Sequence, residues 1–165
     1  MTLNLVILAL VTLERLAELW LANRNTRRLL AQGAREHAPG HYPLIVALHA
    51  AWLAVLWWLA PGRPVSLPLL ALFGLVEIAR IWVLQTLGPR WTTRIIVVPR
   101  ETLVRRGPYR FLNHPNYAVV VAEIALLPLV FGLWRVALVF TILNAIVLTI
   151  RIREENRALS ALSPR

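Results

Sequence analysis

Five long apolar stretches alternate along the chain with short polar segments. They cover residues 3–22, 43–60, 67–87, 116–131 and 134–150. Apolar stretches of about 17–25 residues can cross a bilayer as helices. Gly132 lies between the last two stretches and predicts a tight turn, so these two should form a helical hairpin. The pattern predicts an all-α integral membrane protein of about five transmembrane helices.

The polar segment before the fourth stretch has a different pattern. Residues 91–98 are rich in β-branched and aromatic side chains, which favour a strand. After Pro99, the residues Glu101, Thr102, Leu103 and Val104 form a second strand candidate, which predicts a small cytoplasmic β-hairpin. Pro115 suits the first turn of the following helix, where its missing N–H is no loss.

Composition agrees with a membrane protein. The apolar fraction is 58%, with a mean hydropathy of +0.62, whereas soluble domains average about 45–50% apolar. Cysteine is absent, which excludes disulfides, thiolate ligands and a cysteine nucleophile. The four histidines are not grouped with acidic residues, so no metal site is expected.

The net charge is +10, and all 18 basic residues are arginines. Fourteen of the 18 arginines follow the first, third and fifth apolar stretches. Such one-sided placement fits the positive-inside rule better than nucleic-acid binding, so no nucleic-acid partner is expected. It predicts a multi-pass membrane protein with the N-terminus outside and the C-terminus in the cytoplasm.

Charged residues inside membrane spans are costly and often functional. Glu77 and Arg80 lie three residues apart in the third stretch and are able to pair there. Glu123 should face the interior of the bundle. For the charged residues of the first stretch, snorkelling to the interface and a polar cavity remain equal alternatives; these residues are Glu14, Arg15 and Glu18.

The densest group of polar residues surrounds the cytoplasmic ends of the last two stretches. Because these stretches form a hairpin, the start of the fourth and the end of the fifth should be neighbours. The residues that would meet there are Tyr109, Arg110, His114, Asn116, Tyr117, Arg151, Arg153, Glu154 and Glu155. Aromatic faces suit a purine or a sulfonium cation, and a carboxylate suits a ribose or an amine.

These residues carry a resemblance to a known family. The pattern Glu-Thr-Leu-Val, Gly-Pro-Tyr-Arg and His-Pro-Asn-Tyr, followed by Arg151 and then Glu154-Glu155, resembles the isoprenylcysteine carboxyl methyltransferase family. The N-terminal half looks like a short bacterial branch of that family, whose members O-methylate alkylpyrones or alkylresorcinols and accompany type III polyketide synthases. The likeness covers nearly the whole chain.

The resemblance implies a single membrane domain over residues 1–165, with the cofactor-binding half at 88–165. The implied cofactor is S-adenosylmethionine, and Arg151 would face the methyl-accepting oxygen of a lipid-like substrate. Arg94 matches a further position on the cofactor side. The implied cofactor-binding residues are Glu101, Thr102, Leu103, Val104, Tyr109, His114, Pro115, Asn116, Tyr117 and Glu155.

The expected function is therefore S-adenosylmethionine-dependent O-methylation of a lipid-like acceptor at the membrane. The acceptor would carry an isoprenylcysteine-type carboxylate or an alkylpyrone or alkylresorcinol hydroxyl. If the acceptor is neutral, His114, Glu123 or the Glu14 and Glu18 pair are the candidate bases. Two alternatives are a small transporter or other non-catalytic membrane protein, and a membrane lipid reductase.

Overall fold

The computed structural model describes residues 3–98 and 104–160, which contain five α-helices and two short strands. The helices are α1 (Leu3–Ala31), α2 (Tyr42–Leu59), α3 (Leu67–Leu87), α4 (Pro115–Val130) and α5 (Trp134–Ser160), and the strands are β1 (Arg35–His37) and β2 (Ile95–Val97). The expected all-α fold with a small pair of strands before α4 is confirmed.

The helices fit a membrane to different degrees. By length and composition, α2, α3 and α5 are each able to cross a bilayer, whereas α4 is apolar but shorter, at 16 residues. Helix α1 is long, but three charged residues interrupt its apolar part. It also continues as a helix to Ala31, through Arg24, Arg27 and Arg28, which were expected in a loop. The apolar helices indicate a membrane protein.

The helices pack around one apolar core. Helix α4 lies between α3 and α5, and α2 contacts both α1 and α5. Trp52 of α2, Leu8 of α1 and Leu127 of α4 are among its buried side chains. Phe131 is fully buried beside Gly132, whose positive φ of 70° allows the short turn into α5. The expected helical hairpin of α4 and α5 is therefore present.

Two asparagines of α1 hold loops at the opposite ends of the bundle. Asn4 donates from Nδ2 to the carbonyl oxygens of Ala60 at 2.8 Å and Arg63 at 2.6 Å. Asn25 donates from Nδ2 to the carbonyl oxygens of Gly88 at 3.3 Å and Trp91 at 2.9 Å. The loop after α1, the loop after α3 and the end of α5 thus share one end of the molecule, which is the arginine-rich end.

The small sheet at this end pairs two different loops. Strand β2 pairs antiparallel with β1, and Glu36 is opposite Ile96. The strand expected within residues 91–98 is confirmed, and its partner within the described residues is β1, from the loop after α1. Glu101, Thr102 and Leu103, of the second strand candidate, lie outside the described residues. The sheet packs on α5 through Ala158, which contacts Ile95 and Val97.

The charged residues of the spans gather between three helices into what we call the bundle cluster: Glu14, Arg15 and Glu18 of α1, Glu77 and Arg80 of α3, and Glu123 of α4. Arg80 hydrogen-bonds through Nε and Nη2 to Glu18 and donates from Nη1 to Glu123 at 2.6 and 2.8 Å. The guanidinium of Arg15 lies 3.2 Å from both of these carboxylates.

The contacts of the bundle cluster test three expectations from the sequence. Glu123 faces the interior, as predicted, and is 3% exposed. Among the described residues, Arg80 does not pair with Glu77, because the carboxylates of Glu18 and Glu123 surround the Arg80 guanidinium. Glu77 instead lies near Arg15, with Oε1 of Glu77 at 3.8 Å from Nη2 of Arg15. Arg15 and Glu18 point into the bundle rather than snorkelling to the interface.

Candidate active site

The end of α5 and the start of α4 meet through a hydrogen-bonded group that we call the site cluster: Arg151, Glu155, Tyr117 and His114. The Tyr117 hydroxyl donates to Oε2 of Glu155 and accepts a hydrogen bond of 2.9 Å from Nε of Arg151. The Arg151 guanidinium also lies 5.6 Å from the centre of the Tyr117 ring. The predicted meeting of the two helix ends is present in the structure.

His114 completes the site cluster from the residue before α4. Its ring stacks on that of Tyr117, with centroids 5.1 Å apart and planes inclined by 16°. Its Nδ1 lies 3.7 Å from Oε2 of Glu155. The side chains of His114 and Glu155 are 27% and 28% exposed, so both remain open to a ligand.

Arg151 also links the site cluster to the loop after α3. Its Nη1 donates to the backbone carbonyl of Thr93 at 2.7 Å. Nε and Nη1 are therefore engaged, whereas no hydrogen bond or ion pair within residues 3–98 and 104–160 uses Nη2. A guanidinium that is held at two nitrogens and unused at the third is oriented to bind an oxygen atom.

Pro115 and Asn116 open helix α4 beside His114. Pro115 is buried at the first helical position, as expected. The Oδ1 atom of Asn116 is buried and has no hydrogen-bond partner within the described part of the chain. Because an unsatisfied buried acceptor costs free energy, a ligand that brings an N–H or O–H donor to this point would be stabilised.

Tyr109 lies in a short 3₁₀ turn, Gly107–Arg110, that packs on α3. Gly107 has a φ of +57°, and a Cβ atom there would lie 2.5 Å from Oγ1 of Thr86, so the close approach requires glycine. Burial raises the pKa of Tyr109 to about 12, and the negative charge of Glu155 acts in the same direction. Tyr109 is therefore a neutral phenol at physiological pH, half-buried at the edge of the site cluster.

An apolar groove adjoins the start of α4. It has a volume of about 400 Å³ and runs between α3 and α4, from Leu75 to Pro108 and Pro115. Small side chains such as Ala79 and Ala118 are among those that line it. The groove thus reaches Pro115, the residue that follows His114 of the site cluster.

The structure brings most of the predicted site residues together, with two qualifications. Glu101, Thr102 and Leu103 lie outside the described residues. Val104 is half-buried in the segment before the 3₁₀ turn.

The structure also adds Thr93, Tyr42 and Glu36, which the sequence did not single out, and it places Arg94 beside them. Thr93 holds Arg151 through its carbonyl and donates from Oγ1 to the Tyr42 hydroxyl at 3.1 Å. The Arg94 guanidinium lies 4.5 Å from the centre of the Tyr42 ring and donates from Nη1 to Glu36 at 2.9 Å. Their involvement follows from the pairing of β1 with β2, for which the sequence holds no signal.

The chain is similar over nearly its whole length to uncharacterized bacterial proteins. The chain is 36% identical over 170 residues to the uncharacterized protein YpbQ of Bacillus subtilis (strain 168), over 95% of this chain and 96% of that protein. It is 26% identical over 157 residues to an uncharacterized protein of Haemophilus influenzae, over 92% and 91% of the two chains. No solved structure matches.

One family description covers the part of the chain that builds the site cluster. The isoprenylcysteine carboxyl methyltransferase (ICMT) family matches residues 69–161, which include most of α3, all of α4 and α5, and the loop that binds Arg151. This match spans more than half of the chain and supports a membrane methyltransferase. The chain belongs to the isoprenylcysteine carboxyl methyltransferase family.

Proposed function

We propose that this protein transfers a methyl group from S-adenosylmethionine to an oxygen atom of a lipid-like acceptor. The observation that carries the proposal is the position of Arg151, held between Tyr117 and the Thr93 carbonyl beside Glu155. Family membership supports methyl transfer, and the site cluster supplies the groups that such a reaction needs.

The cofactor side is the start of α4 together with Glu155. S-adenosylmethionine supplies a methyl group on a sulfonium, whose carbon–sulfur bond breaks, leaving the electron pair on sulfur, as a bond to the acceptor oxygen forms. The unsatisfied Oδ1 of Asn116 would accept a hydrogen bond from its ammonium, amine or ribose groups. Glu155 would attract its positive charge, and the rings of His114 and Tyr117 would contact its apolar parts.

The acceptor side is Arg151. Its unused Nη2 would bind an anionic oxygen and hold it in line with the transferred methyl group. Alignment of two reactants contributes roughly 7–11 kcal/mol to the rate in favourable cases. A carboxylate or an acidic enol brings its own charge and needs no base, whereas for a neutral phenol the exposed His114 is the group placed to remove the proton.

The surroundings of the site support a substrate drawn from the bilayer. The site cluster lies at the arginine-rich end of an apolar helical bundle, which we propose to be the cytoplasmic end in a bacterial inner membrane. A lipid-like acceptor would then arrive sideways between helices. The products of a type III polyketide synthase, alkylpyrones and alkylresorcinols, have this amphipathic character and remain the proposed pathway context.

Binding of S-adenosylhomocysteine to the detergent-purified protein tests this function, by calorimetry. We expect saturable binding to the wild type and at least a tenfold loss for Glu155→Ala, since a charge-assisted contact contributes about 1.5–3 kcal/mol. Glu154→Ala is the matched control, because Glu154 pairs with the exposed Arg157 instead. Absence of binding to folded wild-type protein would overturn the proposal in favour of a transporter or a reductase.

A further inference from the structure

A second, polar cavity lies on the other side of Thr93. Its volume is about 280 Å³, and it is bounded by the C-terminal half of α1, the start of α2 and the segment before β2. The residues that line it are Leu19, Asn23, Thr26, Tyr42, Thr93 and Arg94.

The walls of this cavity are held in place by contacts already described. Tyr42 accepts a hydrogen bond from Thr93, and Arg94 lies over the Tyr42 ring while binding Glu36. Nη1 of Arg94 also donates to Oε2 of Glu36 at 3.1 Å, so this one nitrogen binds both oxygens of the carboxylate. A ligand would therefore meet a preformed site rather than mobile surface side chains.

Thr26 is a buried residue that lines the cavity, at 5% exposed. No hydrogen bond within the described residues uses its hydroxyl, whereas the helical threonines Thr12 and Thr86 donate to the carbonyl four residues earlier, at 2.7 and 2.8 Å. The Thr26 hydroxyl is therefore available to a ligand in the cavity that carries a hydrogen-bonding oxygen.

The cavity is connected to Arg151 through a single residue. Thr93 lines the cavity, while its backbone carbonyl accepts the 2.7 Å hydrogen bond from Nη1 of Arg151. A molecule in this cavity would thus lie beside the residue that we assign to the acceptor. Asn116 and Glu155 of the cofactor side do not line the cavity, whereas Arg94, which the resemblance assigns to the cofactor side, does line it.

The size and chemistry of the cavity indicate its ligand. Small-molecule sites occupy about 300–1,000 Å³, so this cavity, at about 280 Å³, lies just below that range and suits a small group. The Asn23 amide, the Thr26 hydroxyl and the Arg94 guanidinium all offer donors, which favours a ligand rich in acceptor oxygens. Leu19 lines the cavity and, with Leu16, faces outward on α1, 39% and 57% exposed, where an apolar tail would lie.

We infer that this cavity binds the head group of the methyl acceptor, a small carboxylate, phenol or enol that carries an apolar tail. The inference rests on the proposed function and extends it. Thr26 is then a residue that determines specificity. Leu19, Asn23, Thr26 and Tyr42 precede residues 69–161, so the choice of acceptor resides in the N-terminal half, outside the part that matches the family.

The test uses the full chain in lipid nanodiscs and three probes with the same alkyl chain: a carboxylate, a resorcinol and an alcohol. We expect at least one of the two oxygen-rich heads to bind more tightly than the alcohol. Thr26→Val should reduce that advantage about fivefold, the effect of one hydrogen bond of about 1 kcal/mol. Thr26→Ser, which keeps the hydroxyl, should restore the advantage.

Thr12→Val is the matched control, because it makes the same change on the same helix away from the cavity, and it should bind all probes as the wild type does. Equal binding of the three heads, or an equal loss for all three in Thr26→Val, would overturn the inference. S-adenosylhomocysteine binding is measured in parallel and should not change in Thr26→Val; its loss there would place the cavity in the cofactor site and overturn the inference. If the wild type does not bind S-adenosylhomocysteine, the proposed function is overturned. That outcome is distinct from a failure of the inference, because the preference among head groups is measured without S-adenosylhomocysteine.

Discussion

The bundle cluster and the site cluster both contain arginine and glutamate, but the central arginines of the two clusters, Arg80 and Arg151, differ in burial and in partners. In the bundle cluster, the side chains of Arg80 and Glu123 are 5% and 4% exposed, and Arg80 uses all three guanidinium nitrogens on two carboxylates. In the site cluster, Glu155 is 28% exposed and Arg151 bonds through two nitrogens, one of them to a backbone carbonyl.

This difference indicates which cluster stabilises the fold and which cluster is able to bind a substrate. All three guanidinium nitrogens of Arg80 bind buried carboxylates, and these charges cannot be separated without a large desolvation cost. A guanidinium that is held at two points and open at the third can bind a substrate oxygen without a rearrangement. We therefore assign the bundle cluster to the packing of α1, α3 and α4, and the site cluster to catalysis.

The largest expected effect comes from breaking the bundle cluster at its centre. Arg80→Ala would leave the buried carboxylates of Glu18 and Glu123 without their main partner. Removing one partner of a buried ion pair destabilises a protein by about 3–5 kcal/mol. We expect the variant to lose its folded elution profile in detergent, or to unfold at a much lower temperature by circular dichroism.

Arg63→Ala is the control for that variant. Arg63 is exposed and its Nε binds the nearby carbonyl of Leu59, so its removal should leave the unfolding temperature unchanged. Wild-type thermal stability in Arg80→Ala would show that the bundle cluster does not hold the three helices together.

The next effect concerns the site cluster and should appear in turnover rather than in folding. Arg151→Ala removes the donor proposed to bind the acceptor oxygen, so methyl transfer should fall about tenfold to a hundredfold, as expected for a charge-assisted hydrogen bond of about 1.5–3 kcal/mol. Transfer of labelled methyl from S-adenosylmethionine to extracted lipids measures the rate.

The neighbouring Arg153→Ala is the control for Arg151→Ala, because Arg153 is exposed on α5. Both variants should retain the wild-type unfolding temperature within a few degrees. Unchanged turnover in Arg151→Ala would contradict the assignment of Arg151, and a matching loss in Arg153→Ala would show a general charge effect instead.

The two clusters also show how far the sequence could lead. The site cluster was predictable because α4 and α5 are joined by a short turn, which forces His114, Tyr117, Arg151 and Glu155 to one end. The partners of Arg80 were not predictable, since Glu18 and Glu123 come from helices far apart in sequence. The spacing of Glu77 and Arg80 permitted a pair within α3, but Arg80 binds the carboxylates of Glu18 in α1 and Glu123 in α4 instead.

The arginine-rich end was predictable only in part. The β-branched run indicated a strand near Ile95, yet three-residue strands carry too little pattern to identify their partners. The pairing with β1 brings Tyr42 and Glu36 beside Thr93 and Arg94, and so forms the polar cavity next to Arg151. Tertiary contacts, and not local propensity, determine that part of the site.

The smallest expected effect tests how tightly the bundle cluster is balanced. Four carboxylates there face two guanidiniums, and both oxygens of Glu77 are buried without a hydrogen-bond partner within the described residues. Glu77→Gln keeps the shape and changes a carboxyl group that accepts no hydrogen bond within the described residues, so the free energy of unfolding should change by less than about 1 kcal/mol, or increase. Glu123→Gln, which weakens the two hydrogen bonds with Arg80, should destabilise the protein clearly more when both variants are unfolded by heat in the same detergent. Equal destabilisation by the two variants would mean that Glu77 is as firmly paired as Glu123, and that both carboxyl groups contribute equally to the stability of the bundle cluster.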